Sequence, residues 1–328
     1  MSVHHLLRAL AVSGAALLAA TAAQAQPFPA KPIKIIVGFA PGSATDTITR
    51  LYGQKLSELL KTPVIVDNKP GGLQVQATRT LITSPADGYT LMMGSASGLS
   101  QAPGVRHDLP YDPAKDLTPI ALLASSPGLI TVTAGLPVKS IAELVSYAKA
   151  HPGELSYATG GVGSAGHLAG EYFARVTGIS MVHVPYKSDA EVARELSGGT
   201  VQVSMSTAQF IVPLVASGKV RALAVNAAER LPGLPDVPTV AEVGIKGLEG
   251  MSPYTYFALV GPAGLPGAVV SQLNAAVNQI SADPEVGKRL RESFSMQPAP
   301  ATTADGVKAF MMKDLAKWRE LGKDLKLE

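Results

Sequence analysis

The chain has 328 residues, 28 Lys and Arg against 25 Asp and Glu for a formal charge of +3, and no cysteine. The missing thiols exclude disulfides, thiolate metal sites, a cysteine nucleophile and a lipid-modified N-terminal cysteine. Scattered charges and few aromatics exclude a basic nucleic-acid surface, and the length favours two lobes over one average domain.

Met1–Arg8 form a short n-region whose one cation is Arg8, Ala9–Ala22 run uncharged and rich in Ala and Leu, and Ala23-Gln24-Ala25 offers small residues at −3 and −1. That order predicts a signal peptide over 1–25, cleaved before Gln26, and export to the periplasm. As a membrane anchor the apolar stretch falls short of the roughly 20 residues that a span needs.

Ile33–Phe39 predicts a buried strand bounded by Pro32 and Pro41-Gly42. From Thr45 to Lys61, Ile48, Leu51, Tyr52, Leu56, Leu59 and Leu60 share one helical face. Pro63 stops that helix, and a strand at Val64–Val66, a weaker helix at Val75–Ser84 and a strand at Thr90–Met93 complete β-α-β-α-β, the pattern of a parallel sheet.

A second segment repeats the alternation. Ile120–Thr133 is strand-like around Pro127-Gly128, and Ser140 caps a helix that runs through Ala150. Strands at Leu155–Ala158, Met181–Pro185, Val201–Met205 and Val220–Asn226 alternate with helices at Ala165–Val176, Ala190–Leu196 and Ala208–Ser217. Tyr254–Val260 is a further strand.

From there the chain turns helical. Asp283-Pro284 begins a helix that runs to Phe294. Thr302 with Asp305 predicts a capping box for the last helix, whose buried face is Val307, Phe310, Met311, Leu315 and Trp318. These helices lack strands of their own and must cover the first sheet. The expected lobes are therefore 26–126 with 253–328, and 127–252. The chain then crosses between them twice, near Ser125–Thr131 and Ser252–Tyr256, and a cleft opens at the strand ends.

Two loops point into such a cleft. In Phe39-Ala40-Pro41-Gly42-Ser43-Ala44-Thr45-Asp46, glycine and small residues leave backbone N–H groups bare at a helix N-terminus, where the dipole favours an anion. Thr159–Gly166 has the same strand–glycine–helix layout, with Gly160, Gly163, Ser164 and Ala165 in place and His167 directly after it. Facing one another, the two nests would clasp a carboxylate without Arg or Lys. Ser95 and Ser97 end one strand, Ser206 and Thr207 another, and can add hydroxyl donors. Asp46 and Asp189 either meet ligand or cap local amides.

Gly161, Gly163 and Gly166 also spell GxGxxG, and Asp189 follows at about the 20-residue distance where dinucleotide-binding proteins place a ribose-binding acid. That dehydrogenase reading is the weaker one, because an exported protein meets little NAD and no hydride-transfer acid or base accompanies the motif. Gly94-Ser95-Ala96-Ser97-Gly98 puts Ala96 where GxSxG needs its nucleophile. The four histidines beyond residue 25 have no metal-pair spacing. Neither an enzyme nor a metal or cofactor is expected.

The stretch Pro29–Pro70 resembles the opening of Bug-type solute-binding proteins, the receptors of tripartite tricarboxylate transporters. The likeness continues in order through Asp87–Leu91, Leu109–Pro113, Gly160–Gly170, Val184–Lys187, Arg221–Val225 and Asp236–Thr239. It implies a two-lobed α/β fold of the periplasmic-binding-protein type (a type II Venus flytrap) that closes on a small carboxylate and presents it to a membrane permease. It also implies that both loops line the cleft, with backbone amides, hydroxyls and bridging waters holding the ligand. An exported sensor without a transport role is the alternative, and a monomer is expected.

The departures from the family pattern are local. Gly71–Gln76 is more apolar than usual, Ser188-Asp189 stands where a glycine pair is common, and Ser206-Thr207 replaces an acidic or amide pair. With few acids near the loops, the ligand is expected to lack an amino group, and Phe39 to pack on its body.

Overall fold

The computed structural model describes residues 28–106, 108–227, 229–251 and 254–323. The expected signal peptide, His107 and the start of the second crossing, at Ser252 and Pro253, lie outside them.

Two mixed sheets carry the fold, each with its helices packed against it. The first opens as expected: β1 (Ile33–Val37), α1 (Ala44–Leu60), β2 (Val64–Asn68), α2 (Val75–Ile82) and β3 (Thr90–Ser95) form two helical crossovers, with β1 in the middle and parallel to both β2 and β3. Ile33, Ile35, Ile36 and Val37 are almost completely buried, so the apolar run reads as a central strand rather than an amphipathic edge. Helix α1 sets Ile48, Leu51, Tyr52 and Leu56 on that sheet and ends at Lys61 in a left-handed cap.

After β3 a π-helical turn at Ser97–Gln101 runs into the short helix α3 (Ala102–Val105), a feature that periodicity does not reveal. Helix α4 (Pro113–Asp116) leads into β4 (Leu117–Ser126), and the chain leaves the first sheet at Pro127 to enter β5 (Gly128–Thr133) of the second. There follow α5 (Ile141–Ala150), β6 (Ser156–Thr159), α6 (Ala165–Thr177), β7 (Val182–Pro185), α7 (Asp189–Gly198), β8 (Val203–Thr207), α8 (Ala208–Ala216) and β9 (Val220–Asn226). The second sheet runs β7-β6-β8-β5-β9, parallel from β7 to β8 and antiparallel on both sides of β5.

The chain returns in β10 (Thr255–Pro262), which inserts antiparallel between β3 and β4. Then come α9 (Gly267–Ser281), α10 (Pro284–Phe294), the two-residue edge β11 (Gln297–Pro298) and α11 (Ala304–Gly322). The order of the first sheet is β11-β4-β10-β3-β1-β2. The C-terminal helices do cover it: Leu273, Val277 and Leu290 join the core of α1, while Val307 and Met311 pack under Met92 and Val260 on the other face. The cap of α11 is Thr303, whose hydroxyl accepts from Gly306 N–H, and not the expected Thr302. Thr302 is instead tied by its backbone to the side chains of Asn274 and Asn278, which places it outside the helix.

The two sheets also touch away from the crossings. Leu168 of α6 packs with Val105 of α3 and Trp318 of α11 in a small apolar cluster, so a helix of the second sheet leans on a helix of the first. At the second crossing, Gln101 Nε2 donates to the carbonyl of Tyr254 and Asn226 Nδ2 to that of Met251.

Candidate functional site

The parallel strands β1 and β6 each end in a glycine loop that turns into a helix, and the two helix N-termini are built alike. Ser43 caps α1 with φ -67° and ψ 162°, its hydroxyl accepting from Asp46 N–H; Ser164 caps α6 with φ -67° and ψ 163°, accepting from His167 N–H. Each cap satisfies the third amide of its helix. The amide N–H groups of Ala44 and Thr45 in one, and of Ala165 and Gly166 in the other, donate to no acceptor among the described residues, as expected of a first helical turn. Gly42 (φ +82°), Gly161 (φ +119°) and Gly163 (φ +76°) supply the positive φ angles that these turns require. Gly166 is constrained by space: a Cβ there would run into the Met205 carbonyl, so α6 lies directly against β8.

A cavity of about 180 Å³ separates the two N-termini. The first lobe contributes Phe39, Ala40, Ser43, Ala44, Thr45, Leu73, Ser95, Ser97, Thr255 and Phe257; the second contributes Gly160, Ser164, Ala165, Gly166, Lys187, Ser188, Asp189, Thr207 and Phe210; Tyr254 stands at the crossing between them. Apolar walls with a few converging donors are the usual make-up of a small-ligand site.

Of the residues expected from the sequence, Phe39, Ala40, Ser43, Ser95, Ser97, Gly160, Ser164, Ala165, Asp189 and Thr207 meet on this wall. Asp46, Thr159, Gly163, His167 and Ser206 are buried behind it, and Gly42 is exposed outside it. Gly42 N–H donates to Asp46 Oδ2 at 2.9 Å. Asp46 also receives Arg50 Nε at 3.0 Å and Asn68 Nδ2 at 2.9 Å. Burial pushes that carboxyl up, but the bonds from Arg50, Gly42 and Asn68 outweigh it and hold its pKa below the usual carboxylate range. Asp46 therefore braces the loop and does not face the cavity.

The second loop has a matching brace. Gly163 N–H donates to His167 Nδ1 at 3.0 Å, so the amide of the expected nest is spent inside the protein. The His167 ring stacks on His183 with centroids 4.0 Å apart, and His183 Nε2 lies 2.7 Å from the Thr159 hydroxyl. Burial lowers the pKa of both imidazoles to about 4, helped for His183 by the charge of His167, so both rings are neutral at pH 7. Ser206 is buried with its hydroxyl on Ser204, 2.8 Å away.

The acid in the wall is Asp189. Its Oδ2 accepts from the Thr207 hydroxyl at 2.9 Å and from Thr207 N–H at 3.4 Å. Burial raises its pKa against these two bonds. The Lys187 side chain lines the same cavity and has no ion-pair partner among the described residues, contrary to the expectation of a site without a cation.

Sequence reasoning also missed Leu73, Phe210, Tyr254, Thr255 and Phe257. Leu73 lies in Gly71–Gln74, where four successive residues have positive φ, and its Cδ1 reaches 2.9 Å from where a Cβ on Gly163 would stand, across the cleft. The unusually apolar GGLQ run was the available signal. Thr255 and Phe257 enter because β10 is antiparallel to β3, pairing Phe257 with Ser95, so that the start of one strand lies beside the end of the other.

The chain is similar over most of its length to known proteins of one kind. Residues 48–327 match the model of the tripartite tricarboxylate transporter family receptor. Protein BugT of Bordetella pertussis is 32% identical over 338 residues, an alignment covering 98% of this chain and 100% of that protein. The solved R. palustris protein Rpa4515 with adipate is 33% identical and superposes with a TM-score of 0.81 over 90% of this chain and 97% of its own. MatC from Rhodopseudomonas palustris with bound malate is 28% identical, with a TM-score of 0.79 over 90% and 100%. A solved structure of a periplasmic transporter is 32% identical, with a TM-score of 0.83 over 92% of this chain and 99% of its own. The chain belongs to the tripartite tricarboxylate transporter receptor family.

Proposed function

We propose that this chain captures a small carboxylate between its two lobes in the periplasm and delivers it to the membrane subunits of a tripartite tricarboxylate-type permease. The observation that carries the reading is the pair of serine-capped helix N-termini, each presenting two free amides to one cavity. Two such termini attract the two ends of a dicarboxylate, or one carboxylate and its hydration shell, through hydrogen bonds and dipole together. The lining residues of the expected set, with Thr45, Leu73, Lys187, Phe210 and Phe257 added, form the binding site in this reading. The lobes comprise 26–126 with 253–328 and 127–252, after removal of 1–25, and the receptor works as a monomer.

Adipate in Rpa4515 and malate in MatC support a carboxylate as the ligand class. A thermal-shift screen of the chain from Gln26 onward tests it, with aliphatic and aromatic mono-, di- and tricarboxylates, amino acids and NAD. At 100 times its Kd a ligand adds about 2.7 kcal/mol, a rise of roughly 2–4 °C or more in Tm at this size. We expect that rise with a carboxylate. A rise with NAD alone would restore the dehydrogenase reading of the GxGxxG loop.

A further inference from the structure

We propose that Asp189 is a cation subsite in the cleft, which makes the captured carboxylate a zwitterion: an amino acid or a close analogue that places its ammonium on Asp189. The inference rests on the carboxylate reading above and reverses the expectation of a ligand without an amino group.

The two oxygens of Asp189 are unequally provided for. Oδ2 holds both bonds from Thr207, whereas Oδ1 accepts none and lies 3.0 Å from the position of a Cβ on Gly160, on the cavity wall. Thr207 stands at the N-cap of α8 yet gives that helix no side-chain cap; its hydroxyl is turned onto Asp189 instead. A carboxylate accepts and cannot donate. Asp189 is part-exposed in the open cavity; once a ligand displaces the water there, the idle oxygen is costly until a donor, best a cation, meets it.

Among the described residues no cation meets Oδ1. Lys187 shares the cavity but makes no ion pair with Asp189, and the Tyr254 hydroxyl is spent on the Met205 carbonyl at 2.9 Å. Asp46, the other acid of the two loops, is already paired with Arg50. Desolvation raises the Asp189 pKa against the two bonds from Thr207, and a cation at Oδ1 would lower it. A ligand hydroxyl would complete the hydrogen bond and leave the charge uncompensated; an ammonium does both.

Position then selects the kind of cation. Gly160, against which Asp189 packs, belongs to the same loop that ends in the free amides of Ala165 and Gly166. Anion and cation subsites thus line one cavity from the same lobe, as the ammonium and carboxylate of one small ligand require, with the remainder of the ligand directed across the cavity to Phe39 and the N-terminus of α1.

Calorimetric titration of the full chain with each proteinogenic amino acid and its deaminated counterpart (aspartate and succinate, glutamate and glutarate, phenylalanine and 3-phenylpropanoate, and so on) decides the matter, with Asp189→Asn run in parallel. We expect at least one amino acid to bind about 10-fold or more tightly than its deaminated partner, the worth of one charge-assisted bond. Asp189→Asn should erase that ratio, whatever it does to the affinity of the deaminated acid. Malate against succinate is the neutral control: a gain equal to that of aspartate over succinate would show that a hydroxyl suffices and overturn the cation. Binding of deaminated acids alone, or a ratio unchanged in Asp189→Asn, would overturn the subsite but leave the carboxylate receptor standing. Silence across every pair would overturn both. The wild-type ratio stands as a test on its own should Asp189→Asn not fold.

Discussion

His167 and His183 lie behind the candidate site as a stacked neutral pair, and their depressed pKa values tie the second loop to pH. With each ring at about 4 in the folded chain against about 6.5 when unfolded, the unfolded state binds more protons between those values. Stability is therefore complete above pH 6.5 and is lost as pH falls towards 4. We expect Tm to decline through that window, and His183→Gln to flatten the decline; a curve identical to wild type would show that the rings do not carry it. Such pairs are hard to see in a sequence. His167 follows the glycine loop as a candidate ligand contact, but its partner His183 is sixteen positions on, and only the tertiary packing of α6 beside β7 stacks the two rings.

Among the elements, the two capped helices are the most legible part of the site. Strand, glycine, serine and helix stand in plain order in both loops, and the apolar faces of α1 and α6 follow helical spacing. Their caps give a direct measurement: Ser43→Ala and Ser164→Ala should each cost about 1 kcal/mol in urea unfolding. Because they cap helices on different sheets, the costs should add in the double variant. Non-additivity would mean that the two loops are coupled even without ligand. Less legible were the π-helical turn at Ser97–Gln101 and the left-handed run at Gly71–Gln74, which depend on tertiary support. Gln74 keeps φ at 74° because its amide side chain is locked between Ser95 N–H and the Ser95 hydroxyl. The misplaced cap at Thr302 has a similar origin, since Asn274 and Asn278 of α9 claim its backbone groups before α11 begins.

At the scale of the molecule, alternation of strands and helices correctly announced an α/β fold in two parts, with helices from the C-terminal end returning to the first sheet. What alternation does not encode is strand order. The insertion of β10 between β3 and β4 brings Thr255, Phe257 and Tyr254 to the cavity, and no local pattern marks them for it. The same architecture keeps the lobes in contact at the Leu168–Val105–Trp318 cluster, a turn away from the Ala165 amide. Trp318 is the chain's one tryptophan. An indole wedged where two lobes meet is an optical gauge of their separation that needs no label: parting the lobes wets the ring and shifts its emission to the red, and closure on a ligand shifts it back. Saturating ligand should move the emission maximum to the blue in the wild type and leave it still in Leu168→Ala with binding intact. An emission indifferent to ligand in both would mean that the lobes do not move across this contact. Cleft occupancy would then be readable in real time from the protein's own fluorescence, with the dye-free chain serving as its own biosensor.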